Sequence, residues 1–182
     1  MMLSAGQRRL VAFHEAGHSL VGLLLGRPLD SVVVNETALA TFWTECSDTS
    51  DLEECLVAIA GRCGEGFGTQ RGAPPPAVFL EEDSAGSDND YVTSYFTEYR
   101  KMADLTRSPE QCLIDMIASV YSMIEDNASS LEAVTDELWR QGSLTGDRVV
   151  EILTENVARL SDEMRTYYWE RPNRSGAKYQ GA

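Results

Sequence analysis

Apolar residues recur at helical spacing through the first 25 positions, with Val11, Val21 and Leu25 on nearly one face. This predicts a helix over 6–25, stopped at Gly26-Arg27-Pro28, because glycine relaxes a helix end and proline cannot continue one. Two β-branched runs follow, 31–34 and 38–44, separated by Asn35-Glu36, and predict a small hairpin or ribbon. Ser50-Asp51-Leu52-Glu53 has capping-box spacing and opens a second helix to about Cys63, whose inward stripe is Leu52, Leu56, Ile59 and Ala60. Over 64–86 periodicity gives way to glycines, then Pro74-Pro75-Pro76, then acidic residues, the pattern of a long mobile loop over 66–86. A third helix is expected from Ser87 past Met102. A fourth starts at the Ser108-Pro109-Glu110-Gln111 cap, with Leu113, Ile114, Ile117, Val120 and Ile124 inward. Shorter helices are expected over 130–141 and 145–160, with Leu144 placed to staple against Val149. Beyond Arg165 the periodicity fades, so 166–182 reads as a disordered tail. The sum is one domain over 1–165, mainly α with a small β ribbon.

Composition narrows the function classes. With 182 residues and 43% hydrophobic side chains the chain can bury one core of its own. A formal charge of −14 argues against nucleic acid and against an anionic membrane surface as partners. The longest apolar run, 20–25, is far short of the ~20 residues a membrane span needs. No basic start followed by a cleavable apolar segment opens the chain, so a soluble, cytoplasmic protein without membrane insertion is expected. Cys46, Cys55, Cys63 and Cys112 lack any Cys-x-x-Cys spacing and read as reduced thiols. A cysteine nucleophile at Cys63 facing His14 or His18 would draw on imidazoles that a metal uses better.

The candidate chemistry is concentrated near the N-terminus. Both histidines of the chain lie in His14-Glu15-Ala16-Gly17-His18, and residues four apart on a helix project from one side. Two neutral imidazoles can then bind one zinc ion at about 2.0 Å, with Glu15 beside them to take a proton from a water that the metal activates. A bare histidine pair on a helix surface is the plain alternative. The apolar stripe that His14 and His18 interrupt argues for burial, and a buried imidazole needs a partner.

A catalytic zinc site has three protein ligands and an open position. With no third histidine in the chain, the remaining ligand must come from Asp or Glu. Asp90 is the leading candidate, since it sits at the expected start of the third helix, where free amides and the helix dipole favour an ionised carboxylate. Asp83, Asp88, Glu53 and Glu54 satisfy the same chemistry.

The string 11–21, Val-Ala-Phe-His-Glu-Ala-Gly-His-Ser-Leu-Val, resembles the motif helix of the FtsH-type ATP-dependent zinc metalloproteases. Ile59-Ala60-Gly61-Arg62-Cys63-Gly64-Glu65 is similar to that family's A-G-R-x-A-E segment. Gly86-Ser87-Asp88-Asn89-Asp90 is similar to its T-G-A-x-N-D segment, in the same order. The resemblance implies a helical peptidase domain over about 6–153, Glu15 as catalytic base, and His14, His18 and Asp90 as zinc ligands. It does not extend to the family's motor: no G-x-x-x-x-G-K-[ST] phosphate loop occurs in these 182 residues. ATP-dependent unfolding, the hexameric ring and membrane attachment therefore do not carry over. Gly64 and Gly66 stand where the family has helix formers, and 66–85 is longer than its connection. Arg62 and Glu65 read either as an ion pair or as groups orienting the metal shell.

The expected function is a zinc-dependent endopeptidase acting on flexible or unfolded polypeptide, independent of ATP in this chain, with Zn2+ as cofactor. The ribbon following the motif helix suits it, because an exposed edge strand can hold an extended substrate. Without a motor, a protein partner supplying substrate is expected. The alternative is a non-catalytic, peptide-binding adaptor or regulator on a peptidase scaffold.

Overall fold

The computed structural model describes residues 4–34, 39–43, 51–72, 86–99 and 108–156. In chain order these form α1 (Ala5–Leu24), β1 (Leu29–Val34), β2 (Leu39–Trp43), α2 (Asp51–Gln70), α3 (Gly86–Tyr99), α4 (Pro109–Asp126), α5 (Ala128–Gln141), β3 (Ser143–Thr145) and α6 (Gly146–Asn156). The described chain is thus mainly helical with a small antiparallel sheet, as its periodicity predicts. The expected tail 166–182, the Pro-rich stretch and the Ser50 cap lie outside the described residues.

The motif helix α1 begins at a capping box in which Ser4 accepts from the Gln7 amide and the Gln7 side chain accepts from the Ser4 amide. It ends as expected, with Gly26 at φ 83° after the last turn. Between Leu10 and Gly22 every residue of α1 is buried, polar ones included. A helix enclosed on all sides is the axis of a core, and α2, α4, α5, α6 and the sheet all pack around α1.

The sheet has the order β2-β1-β3. β1 pairs with β2 as the expected hairpin, Val32 opposite Thr41 and Val34 opposite Leu39. On its other side β1 pairs with β3, Val32 opposite Leu144. A three-residue strand ending at a helix cap leaves almost no periodic trace in sequence. Leu144 and Val149 are both buried, and Thr145 Oγ1 accepts from the Arg148 amide to open α6. With β1 paired on both sides, β2 is an edge strand among the described residues.

Two expectations are corrected. The second helix does not stop at Cys63, and no loop begins at 66: α2 continues to Gln70 and closes in a turn at Arg71-Gly72. Glycines 64, 66 and 68 suggest a break because each weakens an isolated helix by up to about 1 kcal/mol relative to alanine. Two of them instead meet α1. A Cβ on Gly64 would lie 2.2 Å from the Phe13 carbonyl oxygen, and one on Gly68 would lie 2.5 Å from the Phe13 ring. Gly17 on α1 faces the Ala60 carbonyl oxygen in the same way, at 2.4 Å. Small residues at three- and four-residue spacing thus form a seam where two backbones touch, and that packing offsets the weak propensity.

The second correction concerns α4. Its cap is as expected, Ser108 accepting from the Gln111 amide with Pro109 in the first turn. The buried face, however, is Met116, Val120, Met123 and Ile124, while Ile114 and Ile117 are 58% and 41% exposed. The two stripes share Val120 and Ile124 and are rotated by only about 60°, so both satisfy helical spacing. Periodicity alone cannot rank them; which stripe is buried depends on the helices that α4 packs against, chiefly α2. Among the described residues no helix is long and apolar enough to cross a membrane.

Candidate metal centre

His14 and His18 stand on the α1 face turned to α2, one helical turn apart, with ring centroids 4.6 Å apart. Their ring nitrogens are sorted by partner. Nδ1 of His18 lies 2.7 Å from the Val57 carbonyl oxygen, which can only accept, so this nitrogen carries a hydrogen and donates. Nδ1 of His14 lies 2.8 Å from Oε1 of Glu65, and an ionised carboxylate likewise only accepts. Glu65 is in turn held by Arg62, whose guanidinium donates to Oε2 at 3.1 Å. Both imidazoles are thereby fixed with Nδ1 outward and Nε2 inward, the arrangement of metal-ligating histidines. Arg62 and Glu65 therefore act together: one ion pair orients one ring.

The two Nε2 atoms face each other at 2.9 Å. Oδ2 of Asp88 lies 3.2 Å from each of them. Three donors of a tetrahedral zinc site, each about 2.0 Å from the ion, stand about 3.3 Å apart, so this triangle has the required size. Oδ2 is buried and receives no hydrogen bond of good geometry despite that proximity. With both Nδ1 protonated, the two neutral rings and Asp88 Oδ2 turn three lone pairs toward one point, which is stable only with a cation or a proton among them. Room for it comes from Gly61, where a Cβ would lie 2.5 Å from Nε2 of His14 and 2.6 Å from Nε2 of His18. His14, His18 and Asp88 thus fit a metal ion.

Electrostatics agree. Burial works to lower the proton affinity of His14, but the close Asp88 carboxylate, the hydrogen bond to Glu65 and the charge of Glu15 outweigh it, raising the pKa to about 9. For Asp88, burial pushes upward, but the close His14 and His18 rings hold its carboxyl far below the usual range. The cluster therefore retains positive charge in its midst.

The expected ligand Asp90 is not brought to the histidines; its side chain is exposed on α3. Residues two positions apart on a helix differ by about 200°, so Asp88 and Asp90 cannot share a face. The buried face of α3 contains Tyr95 and Phe96, with Val92 partly covered, and Asp88 precedes Val92 by four residues on that side. Docking of these apolar residues thus selects Asp88, a choice that charge and helix-start arguments could not make. Of the other carboxylates considered, Glu54 pairs with Arg27 at 2.9 Å, and Asp83 lies outside the described residues.

Glu15 is buried beside His14. Its carboxylate Oε2 accepts a hydrogen bond from Thr41 Oγ1 on β2 at 2.7 Å, and its carbonyl oxygen accepts from Ser19 Oγ at 2.8 Å. The edge strand thus runs directly beside the acidic residue of the motif. The thiol of Cys63 is buried and pushed up to about 12 by that burial, as is that of Cys55, so both stay neutral. That leaves Cys63 without the character of a nucleophile.

No protein-family model matches this chain, and no curated protein matches it. The residues and their geometry therefore carry the functional reading.

Proposed function

We propose that this protein is a zinc-dependent metalloendopeptidase that cleaves flexible or unfolded polypeptide. One observation carries the reading: both histidines of a His-Glu-x-x-His helix have Nδ1 committed as donor, so the two Nε2 atoms face each other at 2.9 Å and each lies 3.2 Å from Asp88 Oδ2, with a buried Glu15 alongside. A zinc ion held by His14, His18 and Asp88 would supply Lewis-acid activation of a water and of the scissile carbonyl. Glu15 takes the proton from the attacking water and returns it to the departing amine. Glu65, anchored by Arg62, and the Val57 carbonyl keep the rings in the required tautomer and orientation. The outer edge of β2, unpaired among the described residues and beside Glu15, offers backbone groups to an extended substrate. A purely structural zinc site is usually closed by four protein ligands. Only three converge here among the described residues, and an acid stands next to them.

On this reading the chain is an FtsH-like peptidase domain in which the third ligand is Asp88, two positions before the residue that the motif resemblance assigns. With no phosphate loop in these 182 residues, unfolding of the substrate falls outside them.

The test is a comparison of wild type and Glu15→Gln, both zinc-loaded, on a fluorescently labelled unfolded protein. Wild type is expected to generate new peptide ends, whereas Glu15→Gln binds zinc equally and loses cleavage by at least about 100-fold. Undiminished cleavage by Glu15→Gln removes the mechanism. A zinc-loaded wild type that binds polypeptide without cutting it supports the adaptor instead.

A further inference from the structure

The acid of the motif is held from outside its own helix. Thr41 sits at the middle of β2, in register with Val32, and its hydroxyl reaches across to α1. A hydroxyl has one proton to give, and two acceptors lie near it: Glu15 Oε2 at 2.7 Å and the Glu15 carbonyl oxygen at 3.3 Å. The carbonyl is already served by Ser19 at 2.8 Å, so the Thr41 proton goes to the carboxylate. That bond fixes one carboxylate oxygen and so sets the direction of the other. A proton acceptor displaced by about 1 Å can cost 100-fold in rate.

We propose that Thr41 is a positioning residue that aims the Glu15 carboxylate, and that it couples edge strand β2 to the reacting centre. The inference rests on the peptidase reading and deepens it. Because Thr41 belongs to a strand whose outer edge is unpaired among the described residues, a polypeptide that pairs with β2 pins the same backbone that carries the hydroxyl. Binding of an extended substrate and alignment of the base become one event. Short peptides that cannot pair with the strand should gain less from the hydroxyl than long ones.

The experiment uses the full chain as wild type, Thr41→Val, Thr41→Ser, Glu15→Ala and the Thr41→Val/Glu15→Ala double variant. Valine keeps the β-branched shape of threonine, so the strand is retained while the hydroxyl is lost. In zinc-loaded samples Thr41→Val should bind zinc with unchanged stoichiometry and lose kcat on an unfolded protein by about tenfold or more, KM changing less than about threefold. Thr41→Ser, which restores the donor, should recover most of that loss. In zinc-free samples the Tm losses of Thr41→Val and Glu15→Ala should fail to add, by about 2 °C or more, because the two groups share one bond. An active wild type with unimpaired kcat in Thr41→Val, or strictly additive Tm losses, overturns the role of Thr41 and leaves the peptidase reading standing. A zinc-loaded wild type that cleaves nothing overturns that reading, and this inference with it.

Discussion

At the scale of single residues, what decides the chemistry is which atom each group leaves free. His18 can donate Nδ1 only because the Val57 carbonyl lies opposite it, and His14 only because Arg62 keeps Glu65 in place. The sequence makes the histidine pair and its acid legible, since their spacing is a property of one helix. It leaves the third donor open, because that depends on how a separate helix docks, and four residues of the 86–90 string are polar or acidic candidates for the same cap. The two aspartates give a sharp test. Asp88→Ala should weaken zinc binding by more than about 100-fold, beyond the 10- to 100-fold expected when a group that only orients a ligand is removed, as in Glu65→Gln. Asp90→Ala should leave affinity within about twofold, its side chain being exposed. Competition with a chromophoric zinc chelator measures all three. Equal losses in the two aspartate variants would refute the assignment.

At the scale of elements, the seam between α1 and α2 is the part of the fold that was hardest to foresee. Glycine carries a single propensity whether it ends a helix or lets another helix approach, and only the facing element distinguishes the two. Phe13 and Gly17 on α1 do so, by touching the glycines of α2. Alanine substitutions separate the cases. Gly64→Ala must push a methyl to 2.2 Å from a backbone oxygen, so α1 and α2 have to part, and overpacking of this kind costs about 1–3 kcal/mol or more. Gly66→Ala meets nothing nearer than the Tyr121 hydroxyl oxygen at 3.5 Å, and should gain up to about 1 kcal/mol in helix propensity. Chemical denaturation should therefore move in opposite directions for two substitutions two residues apart. Parallel destabilisation would show that α2 is not continuous through the glycines. The hairpin is legible because two runs, 31–34 and 38–44, stand on either side of Asn35-Glu36. β3 is not, because three residues carry too little pattern, and its partner lies more than a hundred positions away.

At the scale of the whole molecule, a cluster of like-directed lone pairs in the centre of the core makes stability depend on what occupies it. In zinc-free protein that occupant is a proton. The pKa of His14 is raised from 6.5 to about 9, so its contribution to stability is complete below 6.5 and disappears as pH climbs through about 9. Asp88 is lowered from 3.8, so its contribution is complete above 3.8 and is lost as pH falls below that value. The metal-free cluster therefore supports the fold best between about pH 4 and 6.5. On the proposed zinc site, metal binding has the opposite slope, because it must displace the His14 proton, and competition with one proton weakens it about tenfold per pH unit below that group's pKa. Zinc at 100 times its dissociation constant adds about 2.7 kcal/mol, or about 5–11 °C in the Tm of a chain of this length. At a fixed low zinc concentration the rise in Tm should thus be large at pH 8.5 and small at pH 6, while the zinc-free Tm falls over the same interval. Parallel thermal melts with and without chelator at the two pH values measure both slopes. A zinc effect that shrinks as pH rises would mean that the ion binds elsewhere, since a site among His14, His18 and Asp88 can only gain from losing its proton.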